Sequence, residues 1–92
     1  MNDYTFEELN KVLCDVGKAI FVKYFYDFTR KDNVLVNENF TEKSKSSRTS
    51  KARSIFARKQ EYEALKNIVN SDHVDEEWRN KAQEILDKKN NF

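Results

Sequence analysis

Apolar residues recur every three or four positions along three stretches of the chain, and polar residues occupy most of the positions between them. This spacing is typical of amphipathic helices, which turn one apolar stripe toward a core. It predicts three main helices, at about 5–28, 49–69 and 73–89. The first begins with Thr5 and Glu8, a capping box in which each side chain bonds an otherwise free backbone N–H. The predicted fold class is therefore mostly α.

The second half of the first predicted helix is apolar on nearly every side. A helix of this kind needs cover all round. Either the other helices wrap it, so that it forms the centre of a small core, or a second copy of the chain covers it in a homodimer. The residues of that dimer or partner interface are Phe21, Tyr24, Phe25 and Phe28.

The segment 29–48 lacks helical periodicity. Asp32 and Asn33 form a turn signal, and 34–36 is a short patch of Val and Leu, which together predict a mobile linker that is irregular or briefly extended. A weak helix that begins at Asn37 or Asn39 is an alternative, and 43–48 is either a mobile loop or a helix entry. Only a few residues separate the last two predicted helices, so we expect them to pack as an antiparallel hairpin. The 92 residues are expected to form a single helical domain.

The composition agrees with helices and argues against several other classes. There is no Pro and a single Gly, too few turn residues for a β-sandwich or barrel. The lone Cys14 excludes an internal disulfide and points to a reducing compartment. No apolar run approaches the ~20 residues of a membrane span, and the early acids do not suit a signal peptide. We therefore expect a cytoplasmic protein without a membrane contact.

Little in the sequence suggests catalysis. His73 is the single histidine, and its polar surroundings near a helix start predict a surface or capping residue. Cys14 lies beside an apolar stripe, where a buried thiol acts as a small hydrophobe. The acids Asp75, Glu76 and Glu77 suit the positive end of a helix dipole. Since no phosphate loop, nucleophile elbow or spaced ligand set is present, we expect no enzyme activity, no cofactor and no metal site.

One segment, 43–59, concentrates the positive charge. It holds seven basic residues and no acid, although the whole chain has a formal net charge of only +1. Cations and hydroxyls around a helix start suit phosphate, and Arg48 and Arg53 could also reach a base edge. The predicted binding residues are Lys43, Lys45, Arg48, Thr49, Lys51, Arg53, Arg58 and Lys59.

Within this segment, Ser46–Phe56 resembles the recognition helix of helix-turn-helix proteins, with small polar residues and Arg or Lys ahead of an apolar anchor. The resemblance covers only these residues, and we assign no family from it. It favours a small nucleic-acid-binding protein, a candidate regulator, with DNA preferred over RNA. The alternative is a protein-binding module or inhibitor, of the type found among phage and plasmid accessory proteins. Such a protein would dock its basic helix and aromatic end on an acidic protein surface.

Overall fold

The computed structural model describes residues 2–30 and 32–90, and over these residues the chain is mostly helical and has no strand. The helices are α1 (Phe6–Val16), α2 (Lys18–Lys23), α3 (Glu42–Ala57), α4 (Glu61–Val69) and α5 (Glu76–Asn90), with a 3-10 turn at Asp27–Thr29. The mostly α prediction is confirmed, whereas the division into three helices is wrong in two places. Among the described residues no helix is both long and apolar enough to cross a membrane.

The first predicted helix is interrupted at Gly17. Its start is as predicted, because the Glu8 N–H donates to Thr5 Oγ1 (3.2 Å) and the Thr5 N–H donates to Glu8 Oε1 (2.9 Å). At Gly17 the φ angle is +95°, in the region that favours glycine. A Cβ there would lie 3.2 Å from Nη1 of Arg48. The helix therefore stops where a guanidinium from α3 approaches the backbone.

Helix α3 begins inside the segment that was predicted to be irregular. The Thr41 side chain caps it by accepting the Ser44 N–H at 3.1 Å, which satisfies one of the free donors of the first turn. Only the part before Thr41 is irregular, and Lys31 within it lies outside the described residues. Val34 and Leu35 are buried, so this loop is held to the core.

The second predicted helix, 49–69, is interrupted at Lys59. This residue has φ +59°, and its N–H donates to the Phe56 carbonyl while the Gln60 N–H donates to the Ile55 carbonyl. These two bonds around a left-handed residue form a Schellman motif. Gln60 is 3% exposed, and its side-chain amide exchanges two hydrogen bonds with the Tyr4 backbone, at 2.9 and 3.0 Å. Helix α3 therefore ends where the N-terminal segment is bound.

The core is one cluster to which all five helices and the loop 34–35 contribute. α1 packs on α3 and α4, α2 packs on α5, and α3 also contacts the 3-10 turn. α4 and α5 pack against each other, and the antiparallel direction of this pair stays a prediction. Phe6 follows the apolar spacing of α1 but is 76% exposed. The stripe of α1 that reaches the core begins at Leu9.

Candidate nucleic-acid interface

All eight predicted binding residues lie on α3 or directly after it, but their side chains have three different environments. The arginines bond backbone carbonyls of other segments, two of the lysines form ion pairs, and two lysines are exposed. Ile55, the apolar anchor of the segment, is fully buried, so α3 is fixed to the core by the side opposite its exposed residues.

Arg48 closes the C-terminal end of α1. Its Nη1 donates to the Val16 carbonyl (2.8 Å) and its Nε donates to Ser44 Oγ (3.0 Å). The guanidinium also lies 4.1 Å from the centre of the Phe40 ring. The last carbonyls of a helix have no partner within it, and Arg48 supplies one from α3. Two of its guanidinium nitrogens thus already donate within the fold, and contact of Arg48 with a base edge stays a prediction.

Arg53 and Arg58 have similar roles. Arg53 Nε donates to the Phe28 carbonyl in the 3-10 turn at 2.9 Å. Arg58 Nε donates to the Asn2 carbonyl at 2.9 Å, and its guanidinium lies 4.1 Å from the centre of the Tyr4 ring. Each arginine thus holds an earlier part of the chain against α3.

The charge of Arg48 and Arg58 is nevertheless not cancelled by these contacts. Their partners in the structure are carbonyls, a hydroxyl and aromatic rings, which are neutral groups. Satisfying a donor with a neutral acceptor leaves the net charge in place, so its field at the surface persists. Arg48 thus contributes positive potential to α3 although its donors are occupied, and the field of Arg58 is partly offset by Glu8, whose pKa it helps to lower after the two hydrogen bonds with Thr5.

The lysines keep their ammonium groups nearer to solvent. Lys51 pairs with Asp15 at 3.2 Å, and Lys45 with Glu42 at 3.6 Å. The side chains of Lys51 and Asp15 are 44% and 43% exposed, whereas that of Lys45 is 18% exposed and that of its partner Glu42 is 94% exposed. Ion pairs with an exposed partner contribute ~0–1 kcal/mol, so either lysine can exchange its partner for a phosphate. Lys43 and Lys59 are exposed, and neither side chain has a hydrogen bond or ion pair with any other described residue.

A cavity brings Lys45, Thr49 and Arg53 together. It has a volume of about 520 Å³ and lies between α3 and the loop 32–36. Lys43, Lys51 and Lys59 do not line it. The predicted site is therefore divided into an exposed face and a cavity beside it.

The aromatic residues of the predicted dimer interface lie in the core. Phe21, Phe25 and Phe28 are each no more than 4% exposed, and Phe21 stacks with Phe28 and with Phe56 at 6.1 and 5.7 Å between ring centres. The alternative that this end is the centre of the core accounts for their burial. These three rings are not accessible to a second copy, and homodimerisation stays a prediction.

Tyr24, the fourth of these residues, is half-buried. It forms a polar cluster with Lys23, at the end of α2, and with Glu38, on the loop 32–40. Its hydroxyl donates to Glu38 Oε2, which also accepts Lys23 Nζ at 2.8 Å. The Lys23 hydrogen bond, followed by that from Tyr24, holds the pKa of Glu38 below its ordinary value. Burial, followed by the bond to Glu38, raises the pKa of Tyr24. The cluster links the end of α2 to the loop that leads into α3.

Acid should weaken this cluster. Since the pKa of Glu38 is lower in the folded chain than in the unfolded chain, its contribution to stability is complete above about pH 4.5 and is lost as the pH falls through the folded-state value. We expect urea unfolding to show that Glu38→Gln is less stable than the wild type near neutral pH, and that the difference shrinks toward about pH 3. A difference that stays constant over this range would contradict the assignment.

Sequence reasoning missed Gln60 and misplaced Cys14. No local pattern marks Gln60, because its partner Tyr4 is 56 residues away. Cys14 is exposed, not buried as expected, and it lines two cavities together with His73, which is exposed as predicted. Within residues 2–30 and 32–90 no three His, Cys, Asp or Glu side chains are grouped closely enough to hold a metal ion.

The environment of α3 thus combines a positive field, exposed lysines and hydroxyls, and arginines committed to the fold. Comparison of the chain with protein-family models, with curated proteins and with solved structures finds no match.

Proposed function

We propose that this chain is a small non-enzymatic nucleic-acid-binding protein that contacts phosphates through the exposed face of α3. The observation that carries the proposal is that the segment 43–59 has no acidic side chain and that its residues 43–57 lie on α3, whose one acid, Glu42, is in the first turn. Phosphate binding depends on such a field and on donors that are free to move. The exposed residues are Lys43, Ser46, Ser47 and Ser50 on this face and Lys59 beyond the C-terminal end of α3.

The proposed mode of binding differs from recognition of base edges by arginine. Arg48 and Arg58 donate hydrogen bonds to backbone carbonyls, so the proposed contacts to phosphate come from lysines and hydroxyls. Contacts of this kind position a protein on the phosphate backbone but carry no sequence information. We therefore propose weak, salt-dependent binding with little sequence preference. Duplex DNA is the first ligand to test, and RNA is the comparison.

The salt dependence of DNA binding tests the proposal. If Lys43, Lys45, Lys51 and Lys59 each neutralise one phosphate, log Kobs against log[salt] should have a slope of about −3 to −4. Fluorescence anisotropy with labelled duplex DNA between about 50 and about 200 mM salt measures this slope. In Lys43→Gln/Lys59→Gln we expect it to become shallower by about 2, with no change in the thermal midpoint.

A matched control removes the same charge elsewhere. Lys11 and Lys66 are exposed on α1 and α4, and Lys11→Gln/Lys66→Gln should leave the slope unchanged. An equal effect of both double variants would show that net charge, and not α3, governs binding. Absence of binding to DNA and RNA at low salt would end the proposal.

The second candidate function is a protein-binding module with an acidic partner surface. It is favoured by Phe6, an exposed aromatic ring of the type that anchors protein interfaces, since the segment leading into it is held against the end of α3 by Gln60 and Arg58. A pull-down separates the two functions: a partner that remains after nuclease treatment and is lost with Phe6→Ala supports protein binding.

A further inference from the structure

The cavity of about 520 Å³ beside α3 has the size of a small-ligand site. One wall is the loop 32–36, where Val34 and Leu35 are buried and Val36 is exposed. The opposite wall is α3, which presents only polar side chains to it. The loop wall also carries the polar residues Asp32 and Asn33, and Val36 is its exposed apolar side chain. A ligand that fits therefore places polar groups against α3 and can place an apolar part against Val36.

The wall formed by α3 carries hydroxyls between two cations. Ser46, Thr49, Ser50 and Arg53 are spaced by three, four and seven residues, so they share one face of the helix, and Lys45 adjoins it. The three hydroxyls have no hydrogen bond to any described residue, although hydroxyls inside a helix commonly bond the carbonyl one turn back. On the same helix, the Ser54 hydroxyl does bond a carbonyl, at 2.6 Å.

The charges around the cavity are unequally screened. Asp32 and Glu42 also line it, but Asp32 is exposed and the Glu42 side chain is 94% exposed, whereas that of Lys45 is 18% exposed. Water and salt weaken the field of exposed groups most. Of the charged groups that line the cavity, Lys45 is therefore screened less than Asp32 and Glu42. Lys45 Nζ donates to the Val36 carbonyl at 3.3 Å and pairs with Glu42 at 3.6 Å, and a ligand can replace both contacts.

We infer that this cavity binds one nucleoside monophosphate unit, whether it belongs to a nucleic-acid strand or is a free mononucleotide. The phosphate oxygens accept hydrogen bonds from the hydroxyls of Ser46, Thr49 and Ser50 and from Lys45, with Arg53 adding positive charge. The sugar and base lie against the loop 32–36, where Val36 is the exposed apolar side chain. This inference rests on the proposed function, because it assigns a specific contact to the same helix.

NMR titration of the full chain tests the site directly. ¹H–¹⁵N spectra are recorded with thymidine 5′-monophosphate, thymidine, inorganic phosphate and a single-stranded oligothymidylate. We expect the monophosphate to shift the amide signals of Ser46, Thr49 and Ser50 and of the loop 32–36, with a lower Kd than thymidine or phosphate alone. Equal affinity for inorganic phosphate would overturn the nucleoside part of the inference. A tighter complex with the oligonucleotide identifies a strand as the ligand, and a tighter complex with the monophosphate identifies a free nucleotide.

Two variants act in opposite directions. Thr49→Val/Ser50→Ala removes two donors and should raise the Kd for the monophosphate about tenfold. Glu42→Gln removes the acid beside Lys45 and should lower this Kd about two- to fivefold, an effect that a purely structural role would not produce. Circular dichroism checks the fold of each variant, and the wild-type titration and Glu42→Gln decide the question even if the double variant does not fold.

The outcomes distinguish this inference from the proposed function. If duplex DNA binds with the lysine-dependent salt slope while the monophosphate shifts none of these signals, the cavity inference is overturned and the proposed function stands. If neither ligand binds at low salt, both fall. Lys43→Gln/Lys59→Gln should weaken duplex binding without changing the Kd for the monophosphate, because neither lysine lines the cavity.

Discussion

Replacing Phe21 with alanine is expected to lower the free energy of unfolding by about 3–5 kcal/mol. The Phe21 side chain is fully buried and packs against the rings of Phe25, Phe28 and Phe56. Its removal leaves a cavity at the point where α2, the 3-10 turn and α3 meet. Domains have a total stability of roughly 5–15 kcal/mol, so this loss brings the chain close to unfolding. Urea denaturation followed by circular dichroism measures it.

Phe6→Ala is the matched control, because it makes the same chemical change at a ring that is 76% exposed. Its expected effect is within ~0.5 kcal/mol. The pair also separates the core from a dimer interface. A core role predicts that the loss from Phe21→Ala does not depend on protein concentration, whereas a dimer interface makes stability concentration-dependent. A loss below about 1 kcal/mol would contradict the placement of Phe21 in the core.

Arg48→Ala should have the next largest effect, a loss of about 2–3 kcal/mol in the free energy of unfolding. It removes the donor to the Val16 carbonyl at the end of α1, and a buried acceptor without a partner costs ~1–3 kcal/mol. It also removes the contact of the guanidinium with the Phe40 ring, worth about 0.5–1 kcal/mol. The same urea titration provides the measurement, with duplex DNA binding as a second readout.

Lys43→Ala serves as its control, since it removes an exposed cation from the same helix and should change stability by no more than ~0.5 kcal/mol. The two variants should therefore show opposite patterns. Arg48→Ala affects stability most, and Lys43→Ala affects the salt slope of DNA binding most. If Arg48→Ala were as stable as the wild type but bound DNA poorly, Arg48 would be a ligand contact and not a structural cap.

The start of α1 and most of the core stripe could be read from the sequence because they depend on local spacing. The capping box of Thr5 and Glu8 needs only neighbours three residues apart, and Leu9, Leu13 and Val16 lie on one face of one helix. The interruption at Gly17 also had a sequence signal, because a glycine inside a helix costs ~1 kcal/mol relative to alanine. Because the apolar residues on both sides of Gly17 follow helical spacing, the sequence nevertheless predicted one continuous helix.

The interruption at Lys59 had no such signal. A left-handed helix end usually carries glycine or asparagine, and Lys59 is neither. The conformation is accompanied by the hydrogen bonds between Gln60 and Tyr4, which join residues that are distant along the chain. Local propensity contains no information about a partner of this kind, so the continuous helix at 49–69 was the natural but incorrect prediction.

For the candidate interface, the sequence by itself determined where positive charge accumulates, because charge adds up along a segment whatever its conformation. Only the tertiary structure decided which of these cations have free donors. Arg48, Arg53 and Arg58 bond the carbonyls of Val16, Phe28 and Asn2, while Lys43 and Lys59 remain exposed. A hydrogen bond requires two groups to meet at a defined distance and angle, and for groups 25 to 56 residues apart only the packing of the helices brings them together.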